Sequence, residues 1–198
     1  MSMKTPLPSD PVPMFPLPGV FLFPAQILPL HVFEERYRQL VNDCLDGPGR
    51  IVVPTIVGEG SPPPLLPVAG LGEIVRHEKL EDGRFHIWLL GLQRVCIQET
   101  PSDRLYRKTM CMPFDEVEAD AEESEELQAL LRQATASRLP TEMALPPKTP
   151  TNILTDLLVQ TLQAPQEILE ELFSEQSIAA RARKALAAHE KFPQQGEG

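Results

Sequence analysis

Residues 14–33 read MFPLPGVFLFPAQILPLHVF. The run is almost wholly apolar, yet Pro16, Pro18, Pro24 and Pro29 interrupt it, and an interior proline both lacks the amide donor and clashes with the preceding helical turn. The segment is therefore extended. An apolar stretch of this kind must be buried by the rest of the chain, and its prolines confine it to strand ends, bulges and sheet edges. Two short strands meeting at Pro18-Gly19 meet both demands, with side chains that seed a barrel-like core.

Working outward, Glu34 to Asp46 places Tyr37, Leu40, Val41, Cys44 and Leu45 on one stripe, the pattern of an amphipathic helix. Glu34 and Glu35 lie where the helix dipole favours negative charge, and Gly47-Pro48-Gly49 ends the helix. Ile51 to Val57 is a β-branched run with an edge or bulge at Pro54. The loop from Glu59 to Pro67 contains Pro62, Pro63 and Pro64, which favour polyproline II, and it delivers Leu65 and Leu66 to the next strand region, Val68 to Leu80.

Asp82-Gly83 between two strand-like runs signals a hairpin. In the return strand, Arg84 to Thr100, Gly91 marks a bulge or a corner. Phe85, Ile87 and Leu89 alternate with Trp88, Leu90 and Leu92, so apolar side chains point to both faces. That leads to the expectation that both faces are covered, as in a small closed barrel with a helix packed outside it. Tyr106 to Phe114 supplies a last strand.

Composition then changes. Asp115 to Glu126 holds eight carboxylates in twelve residues, and the chain beyond it is rich in Leu, Ala, Glu and Gln. Asp120 or Ser124 caps a helix whose inward stripe is Leu127, Leu130, Leu131 and Ala134. Three further helical pieces show apolar faces at Ile153, Leu154, Leu157, Leu158 and Leu162, at Ile168, Leu169, Leu172 and Phe173 after Pro165, and at Ile178, Ala182, Ala185, Leu186 and His189. The expected class is α+β: a β-barrel subdomain over 1–117 and an α-helical bundle subdomain over 118–198.

The chain has 198 residues, 22 of them proline, and a formal charge of −10. Polyanionic partners are disfavoured, because nucleic-acid affinity comes mainly from Lys and Arg neutralising phosphates. Local basic groups at Arg76, His77, Lys79 and Arg84, and at Arg104, Arg107 and Lys108, are the exceptions. No apolar run reaches the ~18 residues of a membrane span and the N-terminus lacks signal-peptide character, which leads to a cytoplasmic expectation. Cys44, Cys96 and Cys111 are too widely spaced for a disulfide framework or a metal knuckle and read as reduced core thiols.

There is no phosphate-cradling Gly-x-x-x-x-Gly-Lys-Ser/Thr and no serine paired with a desolvated lysine. The histidines show no His-Glu-x-x-His pattern, and His31 and His86, lying in apolar strands, read as structural. No enzyme, cofactor or metal is therefore expected. The candidate contact residues are Phe21, Leu65 and Leu66, as apolar groups beside proline-rich loops.

Phe15-Pro16-Leu17-Pro18, Val20-Phe21-Leu22-Phe23-Pro24 and Leu28-Pro29-Leu30-His31-Val32-Phe33-Glu34 together resemble the opening of the Lon protease N-terminal domain. The Ala69-Gly-Leu-Gly-Glu-Ile-Val segment and the hairpin ending Leu90-Gly91-Leu92-Gln93-Arg94-Val95 are similar to its second signature. The resemblance implies a PUA-like barrel followed by a helical bundle. It further implies a non-catalytic module that binds exposed apolar or unfolded polypeptide, as an adaptor in protein quality control with an ATP-dependent protease in trans. An RNA-binding module, from the PUA-like kinship, and a small-molecule enzyme using the barrel-bundle cleft are the alternatives.

Overall fold

The structure is a computed structural model and describes residues 5–140 and 145–194. The chain divides into two compact units, the first ending at Phe114 and the second beginning at Asp115.

The first unit is a mixed sheet with one helix. Its elements are β1 (Val12–Pro13), β2 (Leu17–Pro18), β3 (Ile27–Val32), α1 (Glu35–Leu45), β4 (Arg50–Ile56), β5 (Leu65–Lys79), β6 (Phe85–Thr100) and β7 (Lys108–Pro113). The strand path runs β1-β7-β6-β5-β4-β2, with β3 paired to β6 off that path. Among these paired strands only β2 on β4 is parallel.

The closed barrel expected from the sequence does not form, because the path has two ends. Pro13, Pro16 and Pro18 have no amide to donate, so the N-terminal segment is cut into two-residue strands and meets the middle of β4 through the isolated bridge Met14–Val52. What closes instead is the core. Leu22, Val32, Leu40, Ile51, Val53, Phe85, Ile87 and Leu89 form one buried cluster with Phe15 stacked on Tyr37 at 4.0 Å, and Val12, Met14, Val52, Leu71 and Val95 form a second. Alternate residues of β4 enter the two clusters, so that strand is buried on both faces.

The 82–83 turn is a tight hairpin with Gly83 at φ +80°. At Gly91 the register slips by one residue, Leu71 facing Gln93 while Gly72 faces Gly91, which is the bulge the glycine suggested. A second slip leaves Val75 unopposed between Ile74 and Arg76.

The second unit contains α2 (Ala121–Ala136), α3 (Thr151–Gln160), α4 (Gln166–Ser174) and α5 (Ile178–Lys191). Asp120 caps α2, its Oδ1 accepting from Glu123 N at 2.8 Å, while Pro165 precedes α4 as its N-cap. Leu127, Leu131 and Ala134 are buried as expected, but Leu130 is exposed, because the buried stripe of α2 is narrower than the run of leucines. The interior of this unit carries a charge: Arg181 is fully buried, with Nη2 2.6 Å from Glu116 Oε1, Nε 3.3 Å from Asp156 Oδ1 and Nη1 donating to Glu175 O at 2.9 Å. A planar guanidinium can serve three acceptors at once, which an ammonium on a flexible stem cannot do with the same geometry.

Candidate sheet-face binding site

The site begins with a strand alternation. On β6, Phe85, Ile87 and Leu89 are buried against α1 and the core, whereas His86, Trp88 and Leu90 point the other way and are only partly covered. Antiparallel register places Pro29 opposite Trp88, His31 opposite His86 and Ile27 opposite Leu90 on β3. On the far side of β6, β5 sets Glu73 opposite Leu90, Arg76 opposite Trp88 and Glu78 opposite His86. Three adjacent strands thus present one outward face.

That face is open and carries exposed apolar groups among polar ones. Phe33, just past the end of β3, is 61% exposed, Ile27 48% and the bulge residue Val75 51%. Gly91 N donates to Gln26 O at 2.8 Å, which makes Ile27–Leu90 a non-hydrogen-bonded pair. By alternation Pro29–Trp88 and His31–His86 are non-hydrogen-bonded pairs too, the kind in which facing side chains approach most closely. The His31 and His86 rings meet edge to face at 5.0 Å, and His31 lies 5.9 Å from the Phe33 ring. The Arg76 guanidinium stacks over Trp88 at 4.5 Å from the ring centre.

The fixed charges around it are few. Glu73 faces Arg50 at 3.7 Å and Glu78 faces His86 at 3.7 Å. The basic groups singled out in the sequence are largely neutralised: Arg84 by Asp82, Arg104 by Asp43, Arg107 by Glu99 and Lys108 by Asp103. Arg76 rests its guanidinium on an indole, and among the described residues no carboxylate pairs with it.

The three residues picked from the sequence do not gather here. Phe21 is 9% exposed and turned into the fold. Leu65 and Leu66 are half-buried at the start of β5, the opposite end of that strand from Arg76, and Leu65 packs on the second core cluster. The expectation that both faces of 85–92 are covered is met only in part, since His86, Trp88 and Leu90 are partly buried, while His31 is exposed and packs its ring against His86. Alternation along 27–33 and 85–90 was the available signal. It marks Ile27, Phe33 and Trp88 as one face once that face is left uncovered.

Reactive chemistry is sparse elsewhere in this unit. A cleft of about 500 Å³ is lined by Pro16, Pro18, Tyr37, Pro62, Pro63 and Arg107, and a second of about 430 Å³ includes Asp43, Cys44 and Tyr106. In the latter, burial first and then the Asp43 charge push the Cys44 thiol up to about 12, which leaves no thiolate near neutrality. Tyr106 donates to Asp43 Oδ2 at 2.7 Å, and burial and that bond raise its phenol. Among the described residues no group of three His, Cys, Asp or Glu is arranged to hold a metal ion, and no helix is long and apolar enough to cross a membrane.

Similar sequences and the same fold occur in known proteins. Residues 11–188 match the family described as the ATP-dependent protease La (LON) substrate-binding domain. The chain is 27% identical over 124 residues to a Lon protease of Dictyoglomus thermophilum, covering 61% of this chain and 15% of that protein. It is 29% identical over 90 residues to a Lon protease of Desulfosudis oleivorans, covering 42% of this chain and 11% of the other. It therefore spans only a small part of the length of these relatives. A crystal structure of a Lon N-terminal domain protein from Xanthomonas campestris shares the fold, with a TM-score of 0.65 at 21% identity over 90% of this chain and 98% of that one. The N-terminal domain of the Mycobacterium avium complex Lon protease does likewise, with a TM-score of 0.68 at 12% identity, covering 91% and 98%.

Proposed function

Because the chain belongs to the ATP-dependent protease La (LON) substrate-binding domain family, we propose that it binds exposed apolar segments of unfolded or partly folded proteins and does so on the β3–β6–β5 face. The observation that carries this reading is the display of Phe33, Ile27 and Val75 to solvent on the face that also carries Trp88. A folded chain gains by covering such groups, and a contiguous exposed apolar patch marks an interaction surface. The role is non-catalytic: a cytoplasmic adaptor that holds a client for an ATP-dependent protease.

The RNA-binding alternative, from kinship with PUA-like folds, draws less support, since Arg84, Arg104, Arg107 and Lys108 face carboxylates that a phosphate would have to displace. The small-molecule enzyme alternative lacks an activated nucleophile in the clefts described.

Trp88 is the single tryptophan of the chain, so its emission reports on the face directly. The test is titration with a permanently unfolded, reduced and alkylated reporter protein. Saturable change in Trp88 emission is expected, weakened at least about tenfold in the double variant Ile27→Ser/Phe33→Ser with unaltered melting. Equal binding by the double variant would refute the assignment.

A further inference from the structure

We infer that this face holds its client by side chains laid across the strands and not by adding a strand to the sheet, and that it favours apolar segments carrying an acidic side chain. This rests on the binding role proposed above and specifies its mode and client.

Two open edges flank the face, and neither suits an added strand. On β3, the bond from Gly91 N to Gln26 O fixes the alternation: Leu28, Leu30 and Val32 turn their backbone groups to β6, and Ile27, Pro29 and His31 turn theirs to the open edge. The centre of that edge is therefore a proline with no amide. An incoming strand would find donors at Ile27 and His31 and none between them, leaving its own central carbonyl unpaired.

The other edge is short. β4 accompanies β5 only as far as Glu73, where Arg50 is its partner. Leu80 N donates to Arg84 O at 2.8 Å, so Lys79–Phe85 is a non-hydrogen-bonded pair, and past the bulge at Val75 only His77 and Lys79 turn backbone groups away from β6. Two residues of ladder, bent by a bulge and set in the run Arg76-His77-Glu78-Lys79, are a poor template for a third strand. Backbone recognition is thus closed off on both sides, while the side-chain surface between them stays open.

The client's charge comes from Arg76. Its guanidinium lies over Trp88 with no carboxylate partner among the described residues, whereas Glu73 and Glu78 already face Arg50 and His86. An Asp or Glu side chain within an apolar segment supplies the missing partner as the apolar groups cover Trp88 and Phe33.

The probe is a twelve-residue peptide of Leu, Phe and Ser with one central Asp, titrated against the full chain by Trp88 emission. It is compared with the same peptide N-methylated at alternate residues, with the same peptide carrying Asn for Asp, and with binding to the Arg76→Gln protein. Expected are affinities within about threefold on N-methylation, because no backbone amide of the peptide is used. A loss of about threefold or more on Asp-to-Asn exchange is also expected, absent in Arg76→Gln. A tenfold or greater loss on N-methylation would establish strand addition and overturn the mode. An Asp preference that persists in Arg76→Gln, or none in the native chain, would overturn the charge assignment. Binding indifferent to Ile27→Ser/Phe33→Ser would instead overturn the site itself, which separates the two failures.

Discussion

Gly91 lies against the carbonyl of Phe23 so closely that a Cβ on Gly91 would fall 2.0 Å from Phe23 O. The apolar opening segment therefore crosses the sheet directly on the backbone of β6. The contact is held by Gly91 O accepting from Ala25 N at 2.8 Å.

Gly91→Ala is expected to lower the stability of the first unit by ~3 kcal/mol or more, since the obstacle is backbone and cannot rotate aside. Gly83→Ala gives the contrast. There the neighbour is the flexible end of Arg38 at 3.4 Å, and the cost is the positive φ alone, ~1 kcal/mol. Urea melts of the two variants should differ clearly in midpoint; equal midpoints would contradict the close approach.

Phe21 and Phe33 should respond oppositely to the same change. Phe21→Ser, at a buried position, is expected to destabilise by ~3 kcal/mol, whereas Phe33→Ser, at an exposed one, stays within ~0.5 kcal/mol. Thermal unfolding distinguishes them without any ligand.

Arg181→Met leaves Asp156 and Glu116 without their shared cation inside the second unit. Removing one partner of a buried ion pair costs ~3–5 kcal/mol. Adding Asp156→Asn to Arg181→Met should recover part of that loss, as a double-mutant cycle by circular dichroism would register; strict additivity would mean the two groups do not act together.

Acidification should loosen the second unit through His189. Arg138 Nε donates to His189 Nδ1 at 2.6 Å, which requires that nitrogen to be unprotonated. Burial first, and the Arg138 charge second, hold the imidazole below its ordinary value. The unfolded chain then takes up the proton at higher pH than the folded one. The stabilisation is full above the ordinary value of ~6.5 and is lost as pH falls through the depressed folded value. Melting of the native chain and of His189→Gln at about pH 7.5 and about pH 5.5 should show a larger drop for the native chain. Parallel drops would remove His189 from the account.

Much of this architecture is legible in the residues. The prolines of 14–33 forbid a helix there, Asp82-Gly83 places the hairpin, Gly91 marks the bulge, and the stripe from Tyr37 to Cys44 gives α1. Two features are not. Closure of the sheet depends on amide donors along the N-terminal segment, and Pro13, Pro16 and Pro18 remove them one by one, an effect visible only once pairing partners are known. The site escaped because a strand apolar on both faces is normally covered on both, and a chain that leaves Trp88 and Leu90 partly open departs from that norm where it is proposed to work. Leu65 and Leu66, beside the prolines, open β5 half-buried, and Leu65 packs on the second core cluster.

Pro29 has one more consequence, for the protein in the company of its own copies. A molecule that shows an oily sheet to water at cellular concentration risks stacking into fibres, each copy lending its margin to the next. A gap in the row of amides at the middle of that margin makes it a poor template for such growth.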